Sequence, residues 1–249
     1  MRFIFPYIFA LLTWVAAYSS VVSPRSIPYV LGAYGGLCIG TAIAVARRRL
    51  LSDWNLWVNF CIFFFSSLGY TLIIASPAFR NAYIAAFGAV CGVVMYVALR
   101  FSRDANALIT KNYVRFIGWI FILAFWQMLA GIYFMQVAYD ASVWSGAVII
   151  ALLTFVLGRG IIGIHGLTKS SMRLVLLVLT LTQVEFSLFL TLLPIHYYVQ
   201  ATLATSWFYF IIELVLSGQS LTSRKAIFRA YSIALSIACI LLLLTAAWQ

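Results

Sequence analysis

Long apolar runs separated by short polar stretches dominate this sequence from one end to the other. Cutting the chain at charged residues, proline and glycine leaves nine runs, each long enough to cross a ~30 Å hydrocarbon core as a helix rising ~1.5 Å per residue. The runs are Phe3–Val22, Pro28–Ala46, Trp54–Ala75, Asn81–Leu99, Phe116–Tyr139, Ala141–Leu157, Leu174–Leu193, Tyr197–Leu216 and Ala230–Trp248. The weakest cuts are those after the fifth run, at Asp140, and after the seventh run, at Pro194.

The runs are continuous, as in Leu174–Leu193, and do not show the alternating pattern of a membrane β-barrel. Backbone amides in lipid must form hydrogen bonds within their own segment, so continuous apolar runs become helices. We therefore predict an all-α fold: a polytopic transmembrane helix bundle of about nine spans, forming a single integral-membrane domain over residues 1–249.

Composition supports this class of protein. Apolar residues make up 65% of the chain and charged residues only 8%, against roughly 45–50% and about 25% in soluble domains. A chain of this length cannot bury so large an apolar fraction in a water-soluble core. All four cysteines fall inside apolar runs, and we interpret them as small buried hydrophobes. They are Cys38, Cys61, Cys91 and Cys239. No spacing typical of a metal site accompanies them, so we expect no metal and no cofactor.

The basic residues test the division into runs independently. If all nine runs cross, fourteen of the 16 Lys and Arg residues fall on one side, and only Arg25 and Arg80 fall on the other. Because basic loops stay in the cytoplasm, the amino terminus is predicted inside and the carboxyl terminus outside, N-in/C-out. The basic loops on this side account for the net charge of +11, so the charge does not indicate nucleic-acid binding. Three basic residues there are expected to fix the topology or to contact anionic lipid headgroups: Arg47, Arg48 and Arg49.

The first run also has features of a signal peptide, because Arg2 precedes it and small residues at Ala16 and Ala17 resemble a cleavage site. Its length and the early Pro6 favour retention as a helix. We expect the protein to be integral to the plasma (inner) membrane of a prokaryote.

Glycines four residues apart predict close helix packing in the second and fourth runs. The two sets are Gly32, Gly36 and Gly40, and Gly88 and Gly92. Close backbone approach at such faces replaces the hydrophobic drive that is missing between helices in lipid. We interpret these faces as packing surfaces within the chain or toward partner membrane proteins. A glycine-lined permeation path is the alternative.

A second glycine pattern, Gly158, Gly160, Gly163 and Gly166, resembles a dinucleotide fingerprint in its spacing. That fingerprint requires a preceding strand and a βαβ unit, whereas apolar helical runs flank this one. We interpret the segment as a flexible cytoplasmic loop in which His165 is solvated.

Two carboxylates lie inside apolar runs, Glu185 and Glu213, where a charge costs about 2.5 kcal/mol or more. Glu185 lies near the middle of the seventh run. It is interpreted either as a neutral, hydrogen-bonded structural carboxyl or as a site linked to a proton or cation. Four polar residues share roughly the opposite face of that run: Thr180, Gln183, Ser187 and Thr191. Because both faces carry polar groups, we expect the seventh helix to be surrounded by protein.

Glu213 lies one turn from the cytoplasmic end of the eighth run, on one face with Thr202, Ser206 and Tyr209. This stripe must face protein or water, and we expect the carboxylate to reach toward the basic loop that follows. Asn59 belongs to a similar stripe in the third run. Together the stripes predict an inner polar path, although interhelical hydrogen bonds explain them equally well.

Three classes of function remain open. The first is a small permease, or a membrane subunit of a transport complex, that moves an ion, proton or amphiphile past Glu185. The second is a non-catalytic scaffold or accessory subunit that docks through its glycine faces. The third, an intramembrane enzyme acting on a lipid-like substrate, requires a converging base, nucleophile or metal set. The sequence contains neither H-E-x-x-H nor G-x-S-x-G, so we expect no catalytic residues and no enzyme activity.

Overall fold

A computed structural model describes residues 4–30, 32–36, 54–101, 107–164 and 169–217, together with four positions between 232 and 240. Every secondary-structure element among these residues is a helix, which confirms the predicted all-α fold for this part of the chain. The elements are α1 (Phe5–Val22), the 3₁₀ turn η1 (Pro24–Ser26), α2 (residues 27–30 and 32–36), α3 (Trp54–Ile73), α4 (Pro77–Phe101), α5 (Ala107–Tyr139), α6 (Val143–Ile164), α7 (Lys169–Thr191) and α8 (Tyr197–Ser217).

Six of the described helices are long and apolar enough to cross a membrane, namely α1, α4, α5, α6, α7 and α8. α3 contains a shorter apolar stretch, Val58–Ile73. The chain is therefore a helical membrane protein. Most of the second predicted run and nearly all of the ninth lie outside the described residues, so nine spans with an N-in/C-out orientation stay a prediction.

The weak junction at Asp140 is a break between two helices. α5 ends at Tyr139 and α6 begins at Val143. Asp140 has a φ of 50°, in the left-handed region where Asp is one of the few tolerated side chains. This residue turns the chain out of α5.

The junction at Pro194 is also a break, and a buried side chain bridges it. Gln200 of α8 donates its Nε2 to the carbonyls of Leu190 and Leu193, at 3.0 and 3.4 Å. Both carbonyls also accept a backbone N–H, from Leu193 and Ile195 respectively. The Gln200 amide therefore adds a second donor to each and ties the start of α8 to the end of α7.

The predicted loop at the glycine string is wrong, because α6 continues through Gly158, Gly160 and Gly163 to Ile164. A Cβ atom at Gly158 would lie 2.8 Å from a methyl of Leu179 and 3.2 Å from a methyl of Leu176. Glycine at this position allows α7 to approach α6 closely. Gly166 and His165 lie outside the described residues.

The chain divides into two compact units, and the first comprises Met1–Ile120. In this unit α1 and α4 lie antiparallel, with Gly92 against Pro6 and Ala10 and Gly88 against Ala10 and Trp14. A Cβ atom at Gly92 would lie 2.9 Å from the Ala10 Cβ. The two helices therefore touch almost backbone to backbone. Aromatic rings fill the adjoining core: Phe9, Tyr34, Phe63, Phe64 and Phe87.

The second unit comprises Phe121–Gln249. Within it α6 packs on α7, and α7 packs on α8. The part of α5 that belongs to this unit runs antiparallel to α8, because Phe125 stacks near Phe208 whereas Phe134, further along, contacts Tyr197. The polar residues of α7 lie in the middle of this packing.

We expect Asp140→Val to lower the free energy of unfolding by about 1–2 kcal/mol, because a β-branched residue strains the left-handed backbone. Asp140→Asn keeps the tolerance for this conformation and removes the charge, so its stability should match that of the parent. Denaturant titration in detergent micelles measures both. Equal losses for Val and Asn would assign the effect to the carboxylate charge and contradict the backbone explanation.

Gly92→Ala should destabilise the first unit by about 1–3 kcal/mol, because the added methyl overlaps Ala10 across a tightly packed interface. The matched control is Gly69→Ala in α3, where no heavy atom of the described structure lies within 4 Å of the added Cβ. This control should be neutral or gain up to about 1 kcal/mol from reduced chain entropy. A thermal shift assay compares the two, and an unchanged melting temperature for Gly92→Ala would refute the close contact.

Candidate functional site

α7 places its two central polar residues on opposite sides. Gln183 has none of its surface exposed, whereas Glu185 is exposed. Two residues along a helix turn the side chain by about 200°. The predicted stripe of Gln183 and Ser187 therefore points into the second unit. Among the described residues a leucine-rich face of α7 beside Glu185 is exposed, and the expected enclosure of α7 by protein stays a prediction.

The Gln183 amide joins α7 to α8. Its Nε2 donates to the Ala204 carbonyl at 3.0 Å and to the Ser187 hydroxyl oxygen at 3.4 Å. Its Oε1 is buried and has no hydrogen-bond partner among the residues that the structure describes. One acceptor therefore stays unsatisfied in the interior of the unit.

A tyrosine from α5 completes this group. Tyr133 is fully buried, and its hydroxyl approaches Ser187 without forming a hydrogen bond of good geometry. We call Tyr133, Gln183 and Ser187 the polar core. It offers an unused hydroxyl donor and an unused carbonyl acceptor, joined through one serine. A buried polar group without a partner costs about 1–3 kcal/mol.

Two further polar atoms of the second unit are buried without partners, the Thr180 hydroxyl and the Trp207 indole nitrogen. Thr180 lies one turn before Gln183 on the same helix. Trp207 belongs to α8 and stacks on Phe186 of α7 with ring centroids 5.1 Å apart. Unsatisfied groups are thus concentrated along the inner surface of α7, as expected where a polar molecule is accommodated.

The stripe predicted on α8 does not meet the polar core. Ser206, Tyr209 and Glu213 are half-buried. Glu213 follows Ala204 by nine residues, a rotation of about 180°, so it lies across the helix from the Gln183 contact. The stripe's first member, Thr202, accepts a hydrogen bond from the Trp126 indole of α5 at 3.1 Å. The basic loop after α8 lies outside the described residues.

Asn59 is a separate case in the first unit. It is fully buried, and neither of its amide atoms forms a hydrogen bond within the described part of the chain. Other polar residues of α3 return to carbonyls of their own helix, as Thr71 does to Leu68 at 2.6 Å. Asn59 lies one turn before Phe63, which contacts Phe87 of α4.

The remaining predicted residues divide between described and undescribed positions. Gly88 and Gly92 lie in the contact between α1 and α4. A Cβ atom added at Gly32 or Gly36 would meet no heavy atom of the described structure within 4 Å, so that surface of α2 is open there. Four residues lie outside the described part of the chain: Gly40, Arg47, Arg48 and Arg49.

No protein-family model, curated protein or solved structure matches this chain. Its function must therefore be inferred from the arrangement of its own side chains. Among the described residues no three His, Cys, Asp or Glu side chains lie close enough to hold a metal ion. The polar core consists of uncharged groups and provides hydrogen bonding.

Tyr133 is the site residue that the sequence did not reveal. It lies in an aromatic-rich run, and Gln136 three residues further along is the polar residue at helical spacing that could have marked its face. Only the contact with Ser187 of α7 distinguishes it from the neighbouring rings.

Asn59→Leu should raise the free energy of unfolding by about 1–3 kcal/mol, because it replaces an unpaired buried amide with an apolar side chain of similar size. Denaturant titration of the purified protein provides the measurement. The control Phe60→Leu, at the neighbouring buried position, should lose stability through the cavity it creates. A clear loss for Asn59→Leu would mean that the amide does have a polar partner in the membrane.

Proposed function

We propose that this membrane protein is a small permease for uncharged polar solutes, with the polar core of the second unit as its selective contact. One observation carries the proposal: Gln183 is fully buried, its amide nitrogen contacts Ser187, and its carbonyl oxygen has no partner among the described residues. Polar groups at membrane depth are retained where a solute or water meets them. We also propose that the protein lies in the plasma (inner) membrane of a prokaryote.

The chemistry of the polar core favours an uncharged solute. Its members are an amide and two hydroxyls, which exchange hydrogen bonds with a polar molecule as it leaves water. A dehydrated ion would need an opposite charge or a full ring of oxygen ligands to offset its desolvation, and the polar core offers only one amide oxygen and two hydroxyls. Glu185, two residues from Gln183, points away from the polar core and does not supply one. The proposed route thus passes Gln183 and not Glu185.

A second candidate function is a non-catalytic accessory subunit of a membrane complex. The exposed position of Glu185 favours it, because a carboxyl on the outer surface of a membrane helix requires a partner. In that case the polar core only holds α5, α7 and α8 together.

The two functions are separated by solute flux in proteoliposomes. We expect the purified protein to accelerate vesicle swelling in glycerol or urea, followed by stopped-flow light scattering. Gln183→Leu should slow this flux about tenfold or more, because a lost hydrogen bond in a dehydrated passage costs about 1–3 kcal/mol.

Two matched controls lie next to Gln183 on α7. Thr182→Ala removes a hydroxyl that donates only to carbonyls of its own helix, Val178 and Leu179. Glu185→Gln changes the outward carboxyl. Both should retain the parental rate to within about twofold. If vesicles with the parent protein swell no faster than empty ones in both solutes, the permease proposal is wrong. If only Glu185→Gln abolishes flux, the protein is a permease but the proposed route past Gln183 is wrong.

A further inference from the structure

The three side chains of the polar core come from two helices and are all buried. Tyr133 and Gln183 have none of their surface exposed, and Ser187 has 2%. Two contacts meet at the Ser187 oxygen: the Gln183 amide nitrogen lies 3.4 Å away, and the Tyr133 hydroxyl approaches from α5. The Tyr133 hydroxyl and the Gln183 Oε1 have no hydrogen-bond partner among the described residues. An unpaired donor and an unpaired acceptor thus lie close to one serine.

We infer that one water molecule is bound in the polar core, where it joins Tyr133 of α5 to Gln183 and Ser187 of α7. The Tyr133 hydroxyl donates to the water. The water donates its two hydrogens to the Gln183 Oε1 and to the Ser187 Oγ, whose bond from the Gln183 amide is long and leaves a lone pair free. The water then has about three hydrogen bonds, as buried waters usually do.

The sequence of the ninth apolar run argues against one of its side chains in the same role. Residues 237–244 are isoleucine, alanine, cysteine and leucine only, so this stretch contains no hydroxyl or amide. Ser236, the hydroxyl just before it, is exposed. A water fills the role without such a residue, because it donates to the unpaired carbonyl and accepts from the unpaired hydroxyl at the same time.

The bound water rests on the same side chains as the proposed permease but not on the flux of solutes. In a permease it is the molecule that an entering solute replaces, since a solute with a donor and an acceptor reproduces its hydrogen bonds. In an accessory subunit the water stays in place as a bridge between α5 and α7. The water site is therefore expected with either function.

Radiolytic hydroxyl-radical labelling tests for this water in the parent protein. Irradiation forms radicals wherever water lies, so a buried ring is oxidised fast only with a water beside it. Mass spectrometry gives the oxidation rates of Tyr133 and Phe125 in lipid vesicles, each divided by the rate of that residue in the unfolded chain. Phe125 is the dry control, because it is fully buried on the same helix with its ring centroid 4.2 Å from that of Phe208.

We expect Tyr133 to be oxidised about tenfold faster than Phe125, since apolar surroundings stay dry. Equal rates would overturn the water site and would instead indicate that another side chain of the protein pairs with the Tyr133 hydroxyl.

Removal of the two acceptors on α7 tests the bridge. Gln183→Leu combined with Ser187→Ala should lower the oxidation rate of Tyr133 about fivefold or more, because a water with a single partner is no longer held. The matched control Thr182→Ala removes a hydroxyl that donates only to carbonyls of its own helix, so the rate should stay at the parental value. A fast rate at Tyr133 in the double variant would refute the bridge to α7.

Glycerol and urea flux of the same vesicles separates this inference from the proposed function. Fast oxidation of Tyr133 without solute flux would support the water site and refute the permease. Solute flux with slow oxidation of Tyr133 would support the permease and refute the water site.

Discussion

The need to satisfy every polar group inside hydrocarbon governs this structure. Most hydroxyls of the described helices return to a carbonyl one turn back, as Thr154 does to Ile150 and Thr205 to Ala201. Where α7 ends, the Gln200 amide adds a second donor to the carbonyls of Leu190 and Leu193. Most polar side chains are thus hydrogen-bonded locally. Buried polar atoms without a partner among the described residues are exceptions that require a physical reason. Gln183 and Asn59 are the clearest of them.

Glycines allow close contact between helices at two places in this structure. At Gly92 the backbones of α1 and α4 come into near contact, and at Gly158 the leucines of α7 reach the backbone of α6. Association of helices in lipid depends on such van der Waals contact, because burial from water contributes nothing there. The same approach fixes the rotation of α7, and thereby decides which of its polar residues face inward.

The helices could be predicted from the sequence because each is a continuous apolar run, and even the weak breaks at Asp140 and Pro194 are present. The extent of α6 could not be predicted. Glycine costs a helix about 1 kcal/mol, and only the contact between Gly158 and α7 shows what offsets that cost. Periodicity placed Gln183 and Glu185 on opposite faces but could not say which face has neighbours. That depends on contacts between helices far apart in the sequence.

Gln183 lies on the buried face of α7 and Glu185 on the exposed face, and the difference between an amide and a carboxyl explains this placement. An amide is neutral at every pH, so Gln183 can remain among uncharged groups and tie α7 to Ala204. A carboxylate in its place would sit among a serine, a tyrosine and a backbone carbonyl that repels it. The amide therefore belongs on the inner face, because a carboxylate at position 183 could not donate to the Ala204 carbonyl.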